Sequence, residues 1–462
     1  MYREKIKKKV NDMFETNNFD YLHSIRIDKN ITSKLYHYQE LHLYNLVSSL
    51  RNNKVILDGS DTGTGKTYTA IALCKHFNYK PIIIAPLIIL SFWENICKIF
   101  DVEPLLITNY EDIKKKNVDS KYYKTVYDKK KFTITWTIPN DAIIIFDEVH
   151  KCKNRGTINY DILLSLENIK NKVLLVSGTI ADSYKTFCIF GYILGLYNTI
   201  KRGHNWIKNR LIEDRMTVGI KESGIHRAIF GDKGSRMCIK DIKDEFPDNQ
   251  ICAECYTISK EHVDEINKIF YTVSTTNNKI VMNKNHDVEL FLKQLVHMRM
   301  KLENIKLDII IELTNNYIEN GYNVVIFVNF DESINELCLR LNTNCIIRGN
   351  QTIEEKDKNI LDFQNNITNV IVCNIKSASE CISLHDINGR PRVSIISPSF
   401  SSGELKQALG RIYRVGSLSP ALQRIIYCAN TCEEIICNKL NEKFKFAGLI
   451  YDDDLCINYT KL

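Results

Sequence analysis

The residues with the clearest chemistry stand in a glycine-bearing turn between an apolar run and a helix-forming stretch. Residues 55–57, Val-Ile-Leu, predict a buried strand, and Lys66 opens the predicted helix. Backbone N–H groups of such a turn point at one place, where the helix dipole also favours negative charge. Gly63 and Gly65 permit close approach of a phosphate. Lys66 can then reach the β- and γ-phosphates, and Thr67 can ligate Mg²⁺.

This turn predicts a nucleotide site for ATP and Mg²⁺. The strict pattern has a glycine five residues before Gly65, and this chain has Ser60 there. A glycine-rich loop that binds no phosphate is the alternative, but Lys66 and Thr67 directly after Gly-x-Gly match the mechanism and not only the glycine count. The candidate nucleotide-binding residues of the turn are Ser60, Asp61, Thr62, Gly63, Thr64, Gly65, Lys66 and Thr67.

Two acidic residues follow a second apolar run about eighty residues later. Residues 142–146, Ala-Ile-Ile-Ile-Phe, lead directly into Asp147 and Glu148. A buried strand places such residues at its carboxyl end, which is where α/β sheets bind ligands. We expect Asp147 to hold Mg²⁺ beside the phosphates and Glu148 to orient and deprotonate the attacking water. Alone, an Asp-Glu pair after a strand is equally typical of a turn.

Near the carboxyl end of the chain, three polar residues have helical spacing. Gln407, Arg411 and Arg414 stand at i, i+4 and i+7, so a helix would place them on one face. Two arginines on one face suit recognition of a γ-phosphate across a cleft. A solvated basic helix is the alternative.

Short β-branched runs alternate with helical patterns in two parts of the chain, which predicts parallel sheets covered on both faces. The first set of strands lies near residues 55–57, 81–86, 104–108, 142–146 and 172–177, and the second near 323–328, 345–348, 369–373, 393–397 and 424–427. Helical patterns lie at 35–50, 258–270 and 287–319. The predicted fold is α/β, with two parallel-sheet lobes in tandem and a basic, mostly helical insert between them. The predicted parts are a basic segment (1–30), a first lobe (31–195), the insert (196–304), a second lobe (305–445) and a tail (446–462).

The composition is that of an ordinary globular protein, with 462 residues, 44% hydrophobic and 25% charged. No apolar run is long enough to cross a membrane, and the start of the chain lacks the apolar core of a secretory signal. Fifteen cysteines without framework spacing fit reduced thiols, so we expect an intracellular, soluble protein. The lone Cys252-x-x-Cys255 pair favours idle thiols over zinc. Abundant Ile, Asn, Lys and Tyr suggest an AT-rich genome, such as that of a protist parasite or a large DNA virus.

The net charge of +7 is concentrated in two places, as is typical of a surface for a polyanion. Residues 3–9 hold five basic residues and one acid, and residues 201–243 hold eleven basic residues and five acids. Solvated surface is the alternative. A third stretch, residues 114–132, interleaves lysines with aromatic residues and predicts either a nucleic-acid contact or a solvated hairpin.

The motifs together resemble one family, the superfamily 2 helicases, and are most similar to its SWI/SNF-type translocases. They run in family order over about residues 35–440, at 38–39, 60–67, 85–94, 106–110, 147–154, 177–179, 236–249, 306–327, 407–414 and 431–434. The resemblance implies RecA-like lobes with ATP·Mg²⁺ between them and an adenine-reading role for Gln39. It also implies nucleic-acid contact near Pro86 and Trp93, and coupling of hydrolysis to lobe movement through His150, Ser177 and Thr179.

The resemblance therefore implies an ATP-dependent translocase or helicase acting on nucleic acid, with duplex DNA favoured over RNA and transcription or replication proteins as partners. Two features depart from the family. Residues 376–384 lack the glycines of the family's second-lobe loop, and Ile180 replaces a proline after Ser-Gly-Thr. A non-catalytic, ATP-responsive scaffold of a transcription complex is the alternative function. The intact set of Lys66, Asp147, Glu148, Arg411 and Arg414 argues against it.

Overall fold

A computed structural model describes residues 25–128, 131–216, 223–242, 246–280, 286–378, 382–399, 401–451 and 459–461. Outside this part of the chain lie the basic residues at 3–9 and two lysines of the segment 201–243, Lys221 and Lys243. The chain divides into two compact units, residues 1–244 with 445–454 and residues 245–444 with 455–462. The finer division into five parts stays a prediction.

The first unit is built on a six-stranded, fully parallel sheet with the strand order β3-β2-β6-β7-β1-β8. Its strands are β1 (Val55–Asp58), β2 (Lys80–Ala85), β3 (Leu106–Asn109), β6 (Ala142–Asp147), β7 (Lys172–Val176) and β8 (Gly234–Ser235), and a separate antiparallel hairpin is formed by β4 (Tyr123–Asp128) and β5 (Lys131–Trp136). The continuous apolar runs are buried because helices cover the sheet on both faces.

The register of the sheet places the carboxyl ends of the three neighbouring strands β1, β7 and β6 side by side. Val176, the last residue of the central β7, pairs with Asp58 on one side and with Asp147 on the other. The loops that follow these strands therefore begin at the same edge of the sheet. Because parallel strands collect their carboxyl ends at one edge, this is where an α/β sheet binds ligands.

Nine α-helices lie wholly in the described part of the first unit, and the helix after β1 begins at the predicted Lys66. They are α1 (Lys29–Thr32), α2 (His37–Asn52), α3 (Lys66–Phe77), α4 (Leu90–Phe100), α5 (Tyr110–Ile113), α6 (Ile158–Leu164), α7 (Tyr184–Ile193), α8 (Gly203–Met216) and α9 (Gly224–Phe230). Helix α2 confirms the apolar period predicted over 35–50, and it buries Leu43, Leu46 and Leu50.

The second unit contains a seven-stranded, fully parallel sheet with the order β11-β12-β10-β13-β14-β9-β15. Its strands are β9 (Asn249–Tyr256), β10 (Asn323–Val328), β11 (Ile346–Ile347), β12 (Val370–Asn374), β13 (Arg392–Ile396), β14 (Ala421–Cys428) and β15 (Tyr459–Lys461). Its α-helices are α10 (Lys260–Ile280), α11 (His286–Glu319), α12 (Asp331–Arg340), α13 (Ile353–Gln364), α14 (Ile375–Ala378) and α15 (Ser402–Leu409), together with the part of α16 (Cys432–Tyr451) that precedes residue 445.

A buried ion pair joins helix α11 to the carboxyl edge of the second sheet. Lys306 is 1% exposed, and its Nζ donates to Oε1 of Glu433 at 2.6 Å and to Oγ of Ser397 at 2.9 Å. Burial by itself lowers the pKa of Lys306, but the charge and hydrogen bond of Glu433, together with Cys428 and Glu303, more than offset this, so the pKa lies above its usual value. The pair fixes the helix at this edge, because breaking a buried pair leaves an uncompensated charge.

The expectation that strands stop between residues 196 and 300 is wrong, because β8 and β9 lie there. Strand β8 is only two residues long, and β9 reads Asn-Gln-Ile-Cys-Ala-Glu-Cys-Tyr, without an apolar run. Cys252 and Cys255 lie on β9 three positions apart, so the pleat directs them to opposite faces. The hairpin β4–β5 is one of the two alternatives predicted for residues 114–132. No helix in the described ranges is long and apolar enough to span a bilayer.

Candidate functional site

The turn after β1 has the backbone that the glycines predict. Gly63 has φ 88° and Gly65 has φ 85°, both in the left-handed region where a side chain is strained. A Cβ on Gly65 would also meet Nε2 of Gln39, so that side chain would have to shift. Lys66 Nζ donates to the backbone carbonyls of Ser60 and Asp61, each at 3.1 Å. This phosphate loop, residues 59–65, is thus held in a tight curve at the amino end of α3.

Gln39 supports the phosphate loop from the amino end of α2. Its Nε2 donates to the carbonyl of Thr64 at 2.9 Å, and its Oε1 accepts from the backbone N–H of Tyr36 at 2.9 Å. The two backbone partners fix the orientation of the amide, because one can only accept and the other can only donate. The side chain is 2% exposed. Adenine reading by Gln39 stays a prediction.

Behind the loop lies a buried pair that sequence reasoning missed. Asp58 and His42 are both fully buried, and Asp58 Oδ2 lies 3.0 Å from His42 Nε2. Asp58 also accepts from the N–H of Ser60 and from the hydroxyl of Thr69. Burial by itself raises the pKa of Asp58, but His42 and the hydrogen bonds together hold it below its usual value. The signal in the sequence was an aspartate ending an apolar strand immediately before the loop.

Asp147 and Glu148 stand at the same edge as the loop, where β6 ends. Asp147 is 6% exposed, and burial followed by the charge of Glu148 raises its pKa to about 7. The positive charge of Lys66 acts in the opposite direction, which places the lysine and the carboxylate in one electrostatic environment. Glu148 has φ 49° and ψ 46°, a backbone conformation that costs a non-glycine residue about 1 kcal/mol and is typical of functional sites.

The oxygen donors fit Mg²⁺. Thr67 is half-buried in the first turn of α3 and supplies a hydroxyl, and Asp147 supplies a carboxylate whose buried charge is costly without a cation. Hydroxyl, carboxylate and phosphate oxygens are the hard ligands that Mg²⁺ takes in nucleotide sites. No group of three or more His, Cys, Asp or Glu side chains arranged for a metal occurs in the ranges that the structure describes, so protein ligands alone would not complete the site and phosphate oxygens would be needed.

The side chain of Trp93 lies against Asp147. It is fully buried on α4, and its Nε1 donates to Asp147 Oδ2 at 3.0 Å. Tyr110 donates from its hydroxyl to the backbone carbonyl of Asp147 at 2.7 Å. Pro86 is buried as well, whereas Leu87 and Phe92 of the same stretch are exposed. The side chains of Pro86 and Trp93 are therefore not exposed to a bound polymer in this structure. Nucleic-acid contact by this stretch stays a prediction.

Replacing Trp93 with phenylalanine is expected to weaken Mg²⁺-dependent nucleotide binding while keeping the packing. The change removes the N–H that holds one carboxylate oxygen of Asp147, and lost partners of a metal ligand cost about 10-fold or more in metal affinity. The measurement is a Mg²⁺ titration of the binding of a fluorescent ATP analogue. Trp136→Phe is the matched control, since Trp136 Nε1 donates to Ser165 in the same unit, 2.8 Å away. Equal Mg²⁺ midpoints for the two variants would contradict this role.

The predicted coupling residues form one chain of contacts that starts at Glu148. His150 Nδ1 lies 3.1 Å from Glu148 Oε2 and 3.2 Å from Ser177 Oγ. Ser177 in turn accepts from the N–H of Thr179 and donates to its carbonyl, at 3.2 and 3.1 Å. A Cβ on Gly178 would lie 3.3 Å from the carbonyl of Ser60, so this loop packs closely on the phosphate loop. The structure thereby brings Glu148, His150, Ser177 and Thr179 together.

In the second unit, the expected helical face of Gln407, Arg411 and Arg414 is wrong. Helix α15 ends at Leu409, and Gly410 caps it, so only Gln407 is helical. Arg411 is 1% exposed and donates to the carbonyl of Ile382 at 3.1 Å, and Arg414 donates to the same carbonyl at 2.9 Å. The two guanidinium groups still lie together, but because they share a loop carbonyl and not because they share a helix.

Some basic residues of the segment 201–243 are exposed, and others are buried or paired. Lys201, Arg202 and Lys208 are exposed on and beside α8. Arg227 is paired with Asp214 at 3.2 Å, and Arg236 is only 8% exposed. On the hairpin side, lysines 114, 115 and 124 pair with acids, which reduces their net attraction for a polyanion.

The sequence matches known helicases in both units. Residues 32–182 match the model of the type III restriction enzyme res subunit, and residues 305–416 match that of the helicase conserved C-terminal domain. A protein of Acanthamoeba polyphaga mimivirus, named a putative ATP-dependent RNA helicase, is 34% identical over 459 aligned residues. The alignment covers 92% of this chain and 85% of that protein.

Two solved structures are similar at low sequence identity. S. cerevisiae Dbp5 bound to RNA and ADP BeF3 is 13% identical with a TM-score of 0.50, covering 94% of this chain and 92% of its own. The Sulfolobus solfataricus SWI2/SNF2 ATPase core in complex with dsDNA is 18% identical with a TM-score of 0.39, covering 93% and 96%. The first agrees with the two RecA-like lobes, and the SWI/SNF subgroup stays a prediction. By its identity to the mimivirus relative and by the two matched domains, the chain belongs to the superfamily 2 helicases, which are nucleic-acid-dependent ATPases.

Proposed function

We propose that this helicase couples ATP hydrolysis to movement along a phosphodiester backbone, with duplex DNA as the first candidate track. The observation that carries the proposal is the chain of contacts from Glu148 through His150 to Ser177 and Thr179, beside a phosphate loop that contains Lys66. Such a chain joins the proposed hydrolytic base to a loop packed on the nucleotide cradle. A change in the position of Glu148 can therefore shift the loop at Ser177 and Thr179, and the reverse also holds.

In the proposed reaction, Glu148 accepts a proton from water as the water oxygen attacks the γ-phosphorus and the bond to the β-phosphate oxygen breaks. Lys66 stabilises the negative charge that develops on the phosphoryl oxygens. His150 keeps the Glu148 carboxylate oriented through its Nδ1, which must carry the proton when the carboxylate is ionised. Bound Mg²⁺, held by Thr67 and Asp147, would neutralise phosphate charge. The roles of Gln407, Arg411 and Arg414 at the γ-phosphate remain sequence-based proposals.

The exposed basic residues around α8 support a phosphate backbone as the track. Lys201, Arg202 and Lys208 carry charge without buried partners that would fix their geometry, as suits contact with a polymer of uniform charge. RNA is the second candidate track, because the mimivirus relative is named as an RNA helicase and the Dbp5 structure contains RNA. Binding through phosphates should weaken steeply with salt in either case.

The test is ATPase activity with duplex DNA, single-stranded DNA, duplex RNA or single-stranded RNA, each at two salt concentrations. We expect at least one polymer to stimulate hydrolysis, and the stimulation to fall with salt. Triplex displacement by the stimulated enzyme would support movement on duplex, and strand displacement would support unwinding. If no polynucleotide stimulates hydrolysis, the translocase proposal is wrong.

A further inference from the structure

The segment that follows α9 runs along the phosphate loop. Strand β8 pairs with β1, and three backbone hydrogen bonds join this segment to β1 and to the loop that follows it. They run from the N–H of Leu57 to Lys233, of Gly59 to Ser235 and of Asp61 to Met237, at 2.9, 3.0 and 3.0 Å. A Cβ on Gly234 would lie 2.1 Å from the carbonyl of Leu57, so this approach requires glycine at 234. Residues 233–237 thus run alongside the end of β1 and the start of the phosphate loop.

Side chains secure the same approach at its far end. Arg236 Nη2 donates to Asp61 Oδ1 at 2.7 Å, and the N–H of Ile239 donates to Asp61 Oδ2 at 3.0 Å. The side chains of Arg236 and Asp61 are 5% and 10% exposed, so the pair is shielded from water. The N–H of Met237 also donates to the hydroxyl of Ser60, at 2.9 Å. Both oxygens of Asp61 are therefore held by residues 236–239.

The buried pair behind the loop is joined to this segment as well. His42 Nδ1 lies 2.9 Å from the hydroxyl of Ser235, while its Nε2 faces Asp58. Residues 235–239 consequently contact the loop directly at Ser60 and Asp61, and they reach Asp58, the residue of β1 before the loop, through His42. Ser60 and Asp61 are the residues whose carbonyls accept from Lys66.

From these contacts we propose that Arg236 is a positioning residue for nucleotide binding. It fixes Asp61, and through it the curve of the phosphate loop from which Lys66 acts. The inference rests on the proposed nucleotide site and not on the proposed track. It also separates Arg236 from the other basic residues of segment 201–243, because a guanidinium that is buried against Asp61 has no exposed charge for a polynucleotide.

The variant Arg236→Met tests the proposal by the dissociation constant of a fluorescent ATP analogue, measured without polynucleotide. We expect this constant to rise about 10- to 100-fold, because a charge-assisted bond is lost and the loop is misplaced. KM for ATP should rise more than kcat falls. Arg236→Lys should restore part of the affinity, and Asp61→Asn should cost little more in the Arg236→Met background, since the two residues act as one unit.

Arg340→Met is the matched control, since Arg340 also donates to an aspartate, Asp308, at 2.8 Å, but at the surface. We expect its nucleotide affinity to stay within about twofold of the parent, as surface pairs contribute little. Thermal unfolding is followed for every variant, and if Arg236→Met does not fold, Arg236→Lys and Asp61→Asn carry the same comparison.

Two results would overturn the inference. One is a nucleotide dissociation constant within twofold of the parent in a folded Arg236→Met or Asp61→Asn variant. The other is an intact nucleotide site together with a loss of about one unit in the salt slope of polynucleotide binding, which would mark Arg236 as a phosphate contact. Because nucleotide binding is measured alone, the result stands even if no polynucleotide stimulates the enzyme.

Discussion

Lys66→Ala is expected to lower kcat/KM for ATP hydrolysis by about 10²–10³-fold or more, the cost of removing one preorganised group that stabilises developing charge. Lys66 is the first residue of α3 and its Nζ already lies at the phosphate loop, where it donates to the carbonyls of Ser60 and Asp61. Alanine keeps the helix but leaves the phosphates without this cation. The measurement is steady-state ATPase activity at saturating polynucleotide.

Lys75→Ala provides the control for Lys66→Ala, since Lys75 is on the same helix and pairs with Asp101 at the surface. It should leave kcat/KM unchanged within about twofold. The scaffold alternative makes the opposite prediction for Lys66→Ala, because a non-catalytic subunit would keep its function. A Lys66→Ala protein that folds and retains parental ATPase activity would remove Lys66 from the proposed site.

Glu148→Gln is expected to lower kcat by about 10²–10⁴-fold, the usual contribution of a general base, with little change in nucleotide affinity. Glutamine keeps the shape of the side chain but cannot accept the proton of the attacking water. It also replaces the carboxylate that faces His150 Nδ1 at 3.1 Å, so the contact to Ser177 should weaken with it. Single-turnover hydrolysis together with binding of a fluorescent ATP analogue separates the chemical step from binding.

Glu111→Gln is the control for Glu148→Gln, because Glu111 is an exposed glutamate of the same unit that pairs with Lys114 at 2.6 Å. Its hydrolysis rate should match the parent. If Glu148→Gln lowered nucleotide affinity as strongly as the rate, Glu148 would act in binding and the assignment as base would fail.

Local patterns were sufficient for most strands of the two sheets and for the backbone of the loop at residues 59–65. The apolar runs at residues 82–85, 142–146 and 324–328 predict buried parallel strands, because a strand covered on both faces needs apolar residues at every position. The local sequence likewise predicts the turn at Gly63 and Gly65 and the start of the helix at Lys66. Strands β8 and β9 were not predicted, because β8 is only two residues long and β9 mixes polar with apolar residues. Their places in the sheets depend on strands that are distant in the chain.

The sequence by itself determined the fold class, the positive φ angles of Gly63 and Gly65, and the place of Asp147 and Glu148 at a strand end, since each depends on consecutive residues. Only the tertiary structure decided which distant side chains hold these groups. Trp93 lies against Asp147, His42 against Asp58, and Arg236 against Asp61. In sequence a basic or aromatic residue looks the same whether it faces solvent or a buried carboxylate, and burial together with a partner at hydrogen-bond distance determines its role.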